Sequence, residues 1–303
     1  MEEKHWVWEL ANTGCKNNDT YEKLREELIR FPSREIKNVF FVGNGAVENG
    51  AKPIIEWVKE NNTDSSINQS HFKFLNALGD DLWSKVGWDF ALSFIPIFLK
   101  CFYEAKCKQA TDAEEAFHQA LKLRDSLASH FQNENTKIRG PLPDHLKHIL
   151  NSEDTLVVCT NWDTAFFNAR NIKNIIQIHG MCTVPESMVL PTESALDALI
   201  GRNTTIQIFM KNMHGEIINI LEKCECVYVW GLSMSTYDAE LMNLLTTPTL
   251  VGNKIRLKVI NREIKDACRA AMLMRQYEFD FIDASKEYEE ITKNLKEELE
   301  KIS

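Results

Sequence analysis

A chain of 303 residues with 44% apolar and 26% charged side chains carries enough apolar material for one large core or two small ones. A net charge of −9, with no run of Lys or Arg, argues against direct binding to a nucleic-acid backbone. The eight cysteines include no C-x-x-C pair, so neither a structural zinc site nor a thioredoxin-like motif is signalled, and free thiols in a reducing cytoplasm are expected.

The opening MEEKHWVWEL has neither the basic region nor the apolar core of a secretion signal. Asp19-x-x-Glu22 is a capping signature, and Leu24, Leu28 and Phe31 continue as a helical stripe that Pro32 ends. Asn38 to Val42 (NVFFV) predicts a buried strand running into Gly43-Asn44-Gly45-Ala46. Glycines after a first strand let the backbone turn tightly and approach a diphosphate, with a helix N-terminus behind it. Glu48 occupies the place of a third glycine, so a dehydrogenase fingerprint is not met and a plain strand–helix turn stays open.

Between Asn61 and Leu150 no strand is predicted. Phe90 to Leu99 is the most apolar stretch; it is too short to span a bilayer and contains Pro96, which predicts a buried, kinked helix and no membrane partner. Thr111-x-x-Glu114 reads as a capping box before the helical spacing of Phe117, Ala120, Arg124, Leu127 and Phe131. His145 and His148 beside Asp144 invite a metal reading, but no second ligand pair accompanies them, and a solvated helix is expected.

Two apolar runs follow, Leu156–Val158 and Ile175–Ile178, in which β-branched residues predict parallel strands buried on both faces. Their C-terminal tips deliver Thr160, Asn161 and Asp163 from the first and His179 and Gly180 from the second. Phe166 to Ile172 is expected to make the crossover helix between them. Ligands of open α/β sheets sit beyond the carboxyl ends of the strands, so Asn161, Asp163 and His179 are expected to share one crevice. Pro185 to Pro191 reads as a loop, and Thr192 to Lys223 as helix broken near Gly201–Asn203; His214-Gly215 falls in helical context and is set aside. Cys226 to Trp230 predicts a strand ending in Gly231-Leu232-Ser233, with Asp238 opening a helix. Strands at Ile255 to Ile260, ending in Asn261, and at Glu278 to Ile282 complete the pattern, before a terminal helical stripe of Tyr288, Ile291, Leu295, Leu299 and Ile302.

T-N-W-D followed by I-H-G, with 18 positions from Asn161 to His179 (179 − 161), resembles the sirtuin-type NAD-consuming domain. Gly43-Asn44-Gly45, Gly231-Leu232-Ser233 with Asp238, and Ile260-Asn261 stand in that family's order, so the resemblance covers roughly residues 38–60 and 154–283. Asn44 and Val47 depart from the family's G-A-G and following hydroxyl residue, and its proline–aspartate–phenylalanine–arginine segment is missing. The resemblance implies one α/β domain over 1–303: a Rossmann-like, six-stranded, mainly parallel sheet with helices on both faces, and a helical insert at 61–150 lying over the cofactor cleft. It also implies NAD binding through Gly43, Asn44, Gly45, Thr160, Gly231, Ser233, Asp238 and Asn261, so a bulky residue at Gly45 is expected to weaken binding by blocking backbone approach.

Releasing nicotinamide from NAD breaks an N-glycosidic bond and develops positive charge on the ribose. Asn161 suits positioning of ribose and water, Asp163 binding of the carboxamide, and His179 proton acceptance at neutral pH. Helix-capping roles for Asn161 and Asp163, and a satisfied core role for His179, remain open from the residues alone. Three activities follow from the resemblance. The first is an NAD hydrolase of the kind that depletes NAD in bacterial antiviral defence. The second is a protein deacylase, disfavoured because only Cys182, Cys224 and Cys226 lie between H-G and G-x-S, where the family's zinc module would need two cysteine pairs. The third is a non-catalytic nucleotide-binding subunit. The hydrolase would take NAD as substrate, need no metal, act in the cytoplasm, and be gated by assembly with itself or a partner protein.

Overall fold

The fold comes from a computed structural model that describes residues 18–31, 35–61, 88–139, 142–190, 204–234, 239–250, 255–262 and 278–284. Its strands are β1 (Ile29–Arg30), β2 (Asn38–Val42), β3 (Val47–Glu48), β4 (Lys137–Ile138), β5 (Thr155–Cys159), β6 (Asn174–Gln177), β7 (Cys226–Trp230), β8 (Arg256–Asn261) and β9 (Glu278–Asp283). The helices are α1 (Asn18–Leu28), α2 (Lys52–Asn61), α3 (Trp88–Lys108), α4 (Ala113–Asn133), α5 (Asp144–Leu150), α6 (Thr204–Leu221) and α7 (Ala239–Leu250). Seven strands form one mixed sheet in the order β1-β6-β5-β2-β7-β8-β9. Six of them run parallel, and counted along the chain they take the spatial order 3-2-1-4-5-6. The chain therefore builds outward from β2 through β5 to β6, then crosses back to start the other half at β7.

The strand sequences explain this arrangement. TLVVC and CVYVW are buried at every position and NVFFV at all but its first, because both faces of the sheet are covered. Val39, Phe41, Val158 and Val229 pack beneath α1, α6 and α7. On the opposite face Phe40, Val157, Tyr228 and Trp230 pack with Leu146 and Leu150 of α5 and with Phe166. A further cluster joins α2, α3 and α4 around Trp57, Phe98, Phe102 and Leu127, and it also takes in Trp162, Cys182, Met188 and Leu190. The helical body over the site thus draws in α2, while α5 returns to the sheet.

Several elements differ from the sequence expectation. The helical stripe near the start stops at Leu28, and Ile29–Arg30 turns into a seventh, antiparallel strand paired with Ile175 and Ile176 of β6. Between β5 and β6 there is no crossover helix; residues 160–173 are turns and bends. Three carbonyls of this stretch accept from Arg30, whose guanidinium donates to the oxygens of Phe167 (3.2 Å), Ala169 (3.3 Å) and Ile172 (2.7 Å) and lies over the Phe167 ring; Ala169 O also accepts the Ile172 N–H. The block read as free of strands contains β4, which pairs antiparallel with β3. At α4 the capping residue is Asp112, which accepts the Glu115 N–H, while the Glu115 carboxylate receives the Thr111 N–H and hydroxyl: the box sits one residue later than the T-x-x-E spacing suggested. Pro96 lies within α3, which continues to Lys108. The Tyr288 to Ile302 stripe, Gly201–Asn203 and Asp238 fall outside the described residues. Among the described residues, no helix is long and apolar enough to cross a membrane.

Candidate active site

Each candidate segment lies just past the carboxyl end of a parallel strand, and backbone hydrogen bonds stitch neighbours together along that edge. Cys159 and Gln177 are register partners in β5 and β6, so Asn161 and His179, each two residues further on, leave the sheet side by side. The Ile178 N–H donates to Cys159 O (3.0 Å), and the Cys182 N–H to Trp162 O (2.7 Å), joining the His-Gly loop to the Asn-Trp-Asp loop. Thr160 donates both its N–H and its hydroxyl to Val42 O, each at 3.0 Å, which ties that loop to the end of β2. The Gly45 N–H donates to Gly231 O (2.9 Å), and the Asn261 side-chain amide donates to Leu232 O (2.8 Å). Five loops thus run along one edge in sheet order.

The glycine loops are glycine-rich because they touch each other. A Cβ on Gly45 would lie 2.7 Å from the Gly231 Cα, and one on Gly231 would lie 2.2 Å from the Ala46 nitrogen. Gly231 and Gly180 also have φ of +66° and +75°, where a side chain is strained. The need for glycine at position 45 is therefore met by Gly231, so a bulky Gly45 variant displaces the neighbouring loop before it meets any ligand. No helix starts on the loop either. Asn44–Ala46 form a 3-10 turn, β3 follows, and α2 begins only at Lys52. The amides of Gly43, Gly45 and Ala46 donate to Trp230 O, Gly231 O and Gly43 O, which leaves exposed Asn44 to offer a ligand its N–H. Ser233 is exposed, while Asn261 also accepts the Arg262 N–H on its amide oxygen, so its side chain holds the turn at Leu232.

The chemistry-bearing residues are deeply placed. Asn161 is 2% exposed, and neither its amide oxygen nor its amide nitrogen has a partner. A buried amide left this way costs about 1–3 kcal/mol of desolvation, which sites retain for a ligand or water. Asp163 is equally buried; one carboxylate oxygen accepts the Ala165 N–H at 2.8 Å. Burial pushes the Asp163 carboxyl up, with the Ala165 N–H acting against the rise. Burial also raises the Cys159 thiol and pushes Cys182 up to about 12, and the Asp163 charge adds to both, which sets that carboxylate between the two loops. Both cysteines therefore stay as neutral thiols rather than nucleophiles. His179 is half-buried, and its carbonyl accepts the Val189 N–H. Gln177, fully buried at the end of β6, has an amide oxygen with no partner.

Asp163 gives a pH-dependent prediction. The folded chain holds this proton more tightly than the unfolded one, so the group's effect on stability is most favourable below the unfolded carboxyl pKa of about 3.9 and worsens as pH rises towards the folded value. Asp163→Asn is accordingly expected to raise the urea midpoint at neutral pH, with the gain vanishing in acid below that unfolded value. An equal gain at both pH values would contradict the burial argument.

The helical body reaches this edge at several points that the sequence did not signal. Arg124, 1% exposed, donates to Met188 O at 3.0 Å and lies over the Tyr103 ring; Gln132 donates to Cys182 O at 2.7 Å. Trp162 meets Phe131 edge-on at 5.8 Å. Arg139 holds the glycine loop from outside. A cleft of about 410 Å³ opens between residues 134–138 and 164–169, lined by the charged Glu134 and Lys137 together with Asn135, Thr136, Thr164 and Asn168. His145 and His148 are exposed on α5, and among the described residues no three His, Cys, Asp or Glu side chains gather as a metal site. Cys224 and Cys226 pack into clusters on opposite faces of the sheet, which separates the one close cysteine pair. No protein-family model matches the chain, and no curated protein matches it by sequence.

Proposed function

We propose that this chain hydrolyses NAD at the nicotinamide–ribose bond, as a sirtuin-like effector that depletes NAD in antiviral defence. The observation that carries the reading is Asn161: a buried amide with both polar atoms unpartnered, beside an equally buried acid, at the ligand-binding end of a parallel sheet. The strand order and the return crossing between β2 and β7 support it, since open α/β sheets bind ligands where the strand order reverses. In the proposed reaction Asn161 orients the ribose and the attacking water, the Asp163 carboxyl binds the nicotinamide carboxamide, and His179 takes the proton from water as positive charge develops at the anomeric carbon. A carboxyl oxygen of Asp163 is suited to accept the N–H of the carboxamide.

A second reading, a non-catalytic nucleotide-binding subunit, is favoured by the glycine loop, whose Gly43, Gly45 and Ala46 amides already donate to backbone. Incubating the purified chain with NAD alone, over a range of chain concentrations and with candidate partner proteins, separates the two. Nicotinamide release without any acyl peptide is the expected result, rising with assembly. NAD binding without release would move the assignment to the second reading, and release only with acyl peptide would move it to a deacylase.

A further inference from the structure

Three successive carbonyls of the glycine loop accept hydrogen bonds from one residue of the helical body. Arg139 donates from its Nε to Gly45 O (3.0 Å), from its backbone N–H to Ala46 O (2.8 Å), and from a terminal guanidinium nitrogen to Val47 O (3.1 Å). The pairing of β3 with β4 continues the same attachment, from Val47 to Ile138 and from Glu48 to Lys137. In a loop that runs straight into a helix, the helix's own turns would fix these peptides. Here α2 starts only at Lys52, and the side chain that fixes Gly45 comes from 94 residues away.

We propose that Arg139 is a positioning residue for dinucleotide binding: its fork turns the Gly45 and Val47 carbonyls away from the ligand and sets the loop that faces the diphosphate. This inference rests on the dinucleotide reading above. With its carbonyls held on the Arg139 side and the Gly45 N–H on Gly231, the turn presents the Asn44 amide outward, and the guanidinium adds a positive charge beside it. The bidentate geometry matters more than the charge. Lysine carries the charge as a single point and cannot reach two carbonyls with separate, coplanar donors.

Calorimetry with ADP-ribose and with AMP, which lacks the diphosphate, tests the idea on the full chain. Arg139→Ala and Arg139→Lys are both expected to weaken ADP-ribose by about tenfold or more, the scale of one lost charge-assisted hydrogen bond, and to leave AMP unchanged. In turnover, KM for NAD is expected to rise with little change in kcat. The lysine variant also serves if the alanine variant does not fold. Parental ADP-ribose affinity in either folded variant overturns the inference, and so does an equal loss for AMP. If the unaltered chain binds neither NAD nor ADP-ribose, the dinucleotide reading itself falls and the inference with it.

Discussion

Asn161→Ala is expected to cut nicotinamide release by about 10²–10³-fold, the usual scale for removing one preorganised hydrogen-bonding group from a reaction centre. Its thermal midpoint is expected to equal or exceed that of the parent. The reason for the second expectation is the absence of partners: alanine removes two buried polar atoms that the folded protein leaves unsatisfied, and breaks no hydrogen bond of that side chain. The pairing of lost activity with retained stability is what distinguishes a residue kept for a ligand from one kept for the fold. A destabilised variant would show that Asn161 is held internally, as a loop cap. A stable variant that releases nicotinamide at the parental rate would remove Asn161 from the chemistry.

The second large effect concerns Gly231. Gly231→Ala is expected to cost more than about 3 kcal/mol in urea unfolding, or to prevent folding, because two penalties fall at one position. The backbone there has φ of +66°, and the new Cβ would meet the Ala46 nitrogen at 2.2 Å and the Gly45 carbonyl carbon at 2.4 Å. Both neighbours are backbone, so relief requires moving the glycine loop rather than turning a side chain. Gly43 provides the contrast, because its nearest neighbours there are the side-chain carbons of Leu232, which can yield in part. A Gly231→Ala chain as stable as the parent would show that the two loops are not in contact.

The parallel strands were legible in the sequence because a strand buried on both faces leaves an uninterrupted apolar run, as in NVFFV, TLVVC and CVYVW. The Asn-Trp-Asp and His-Gly loops were legible as strand tips for the same reason. What escaped depended on partners distant in sequence. Phe31 continues the helical spacing of Leu24 and Leu28 across Ile29–Arg30, and only the edge of β6 makes that pair a strand. Phe166 to Ile172 looks helical until Arg30 claims its carbonyls. The glycines signalled close approach correctly, but the approaching atoms belong to each other. Arg124 stands on a helical stripe and Arg139 in a loop, and nothing local points to Met188 or Gly45.

The Arg30 clamp also bears on how the chain acquires its site. Arg30 precedes the carbonyls it holds by 137 to 142 residues, and among the described residues β1 has no strand partner except β6. During synthesis, β1 must therefore wait until the helical body, β5 and β6 have emerged before its hydrogen bonds can form. Closing so long a loop is slow relative to local helix formation, and its entropy is lost before any contact compensates. The Asn-Trp-Asp loop has no helix of its own, and the Arg30 hydrogen bonds add to the packing of Trp162 and Phe166 in ordering it. Ordering of the loop that carries Asn161 and Asp163 is thereby tied to contacts that span 137 to 142 residues, so a partly made chain holds these side chains before their loop is fixed.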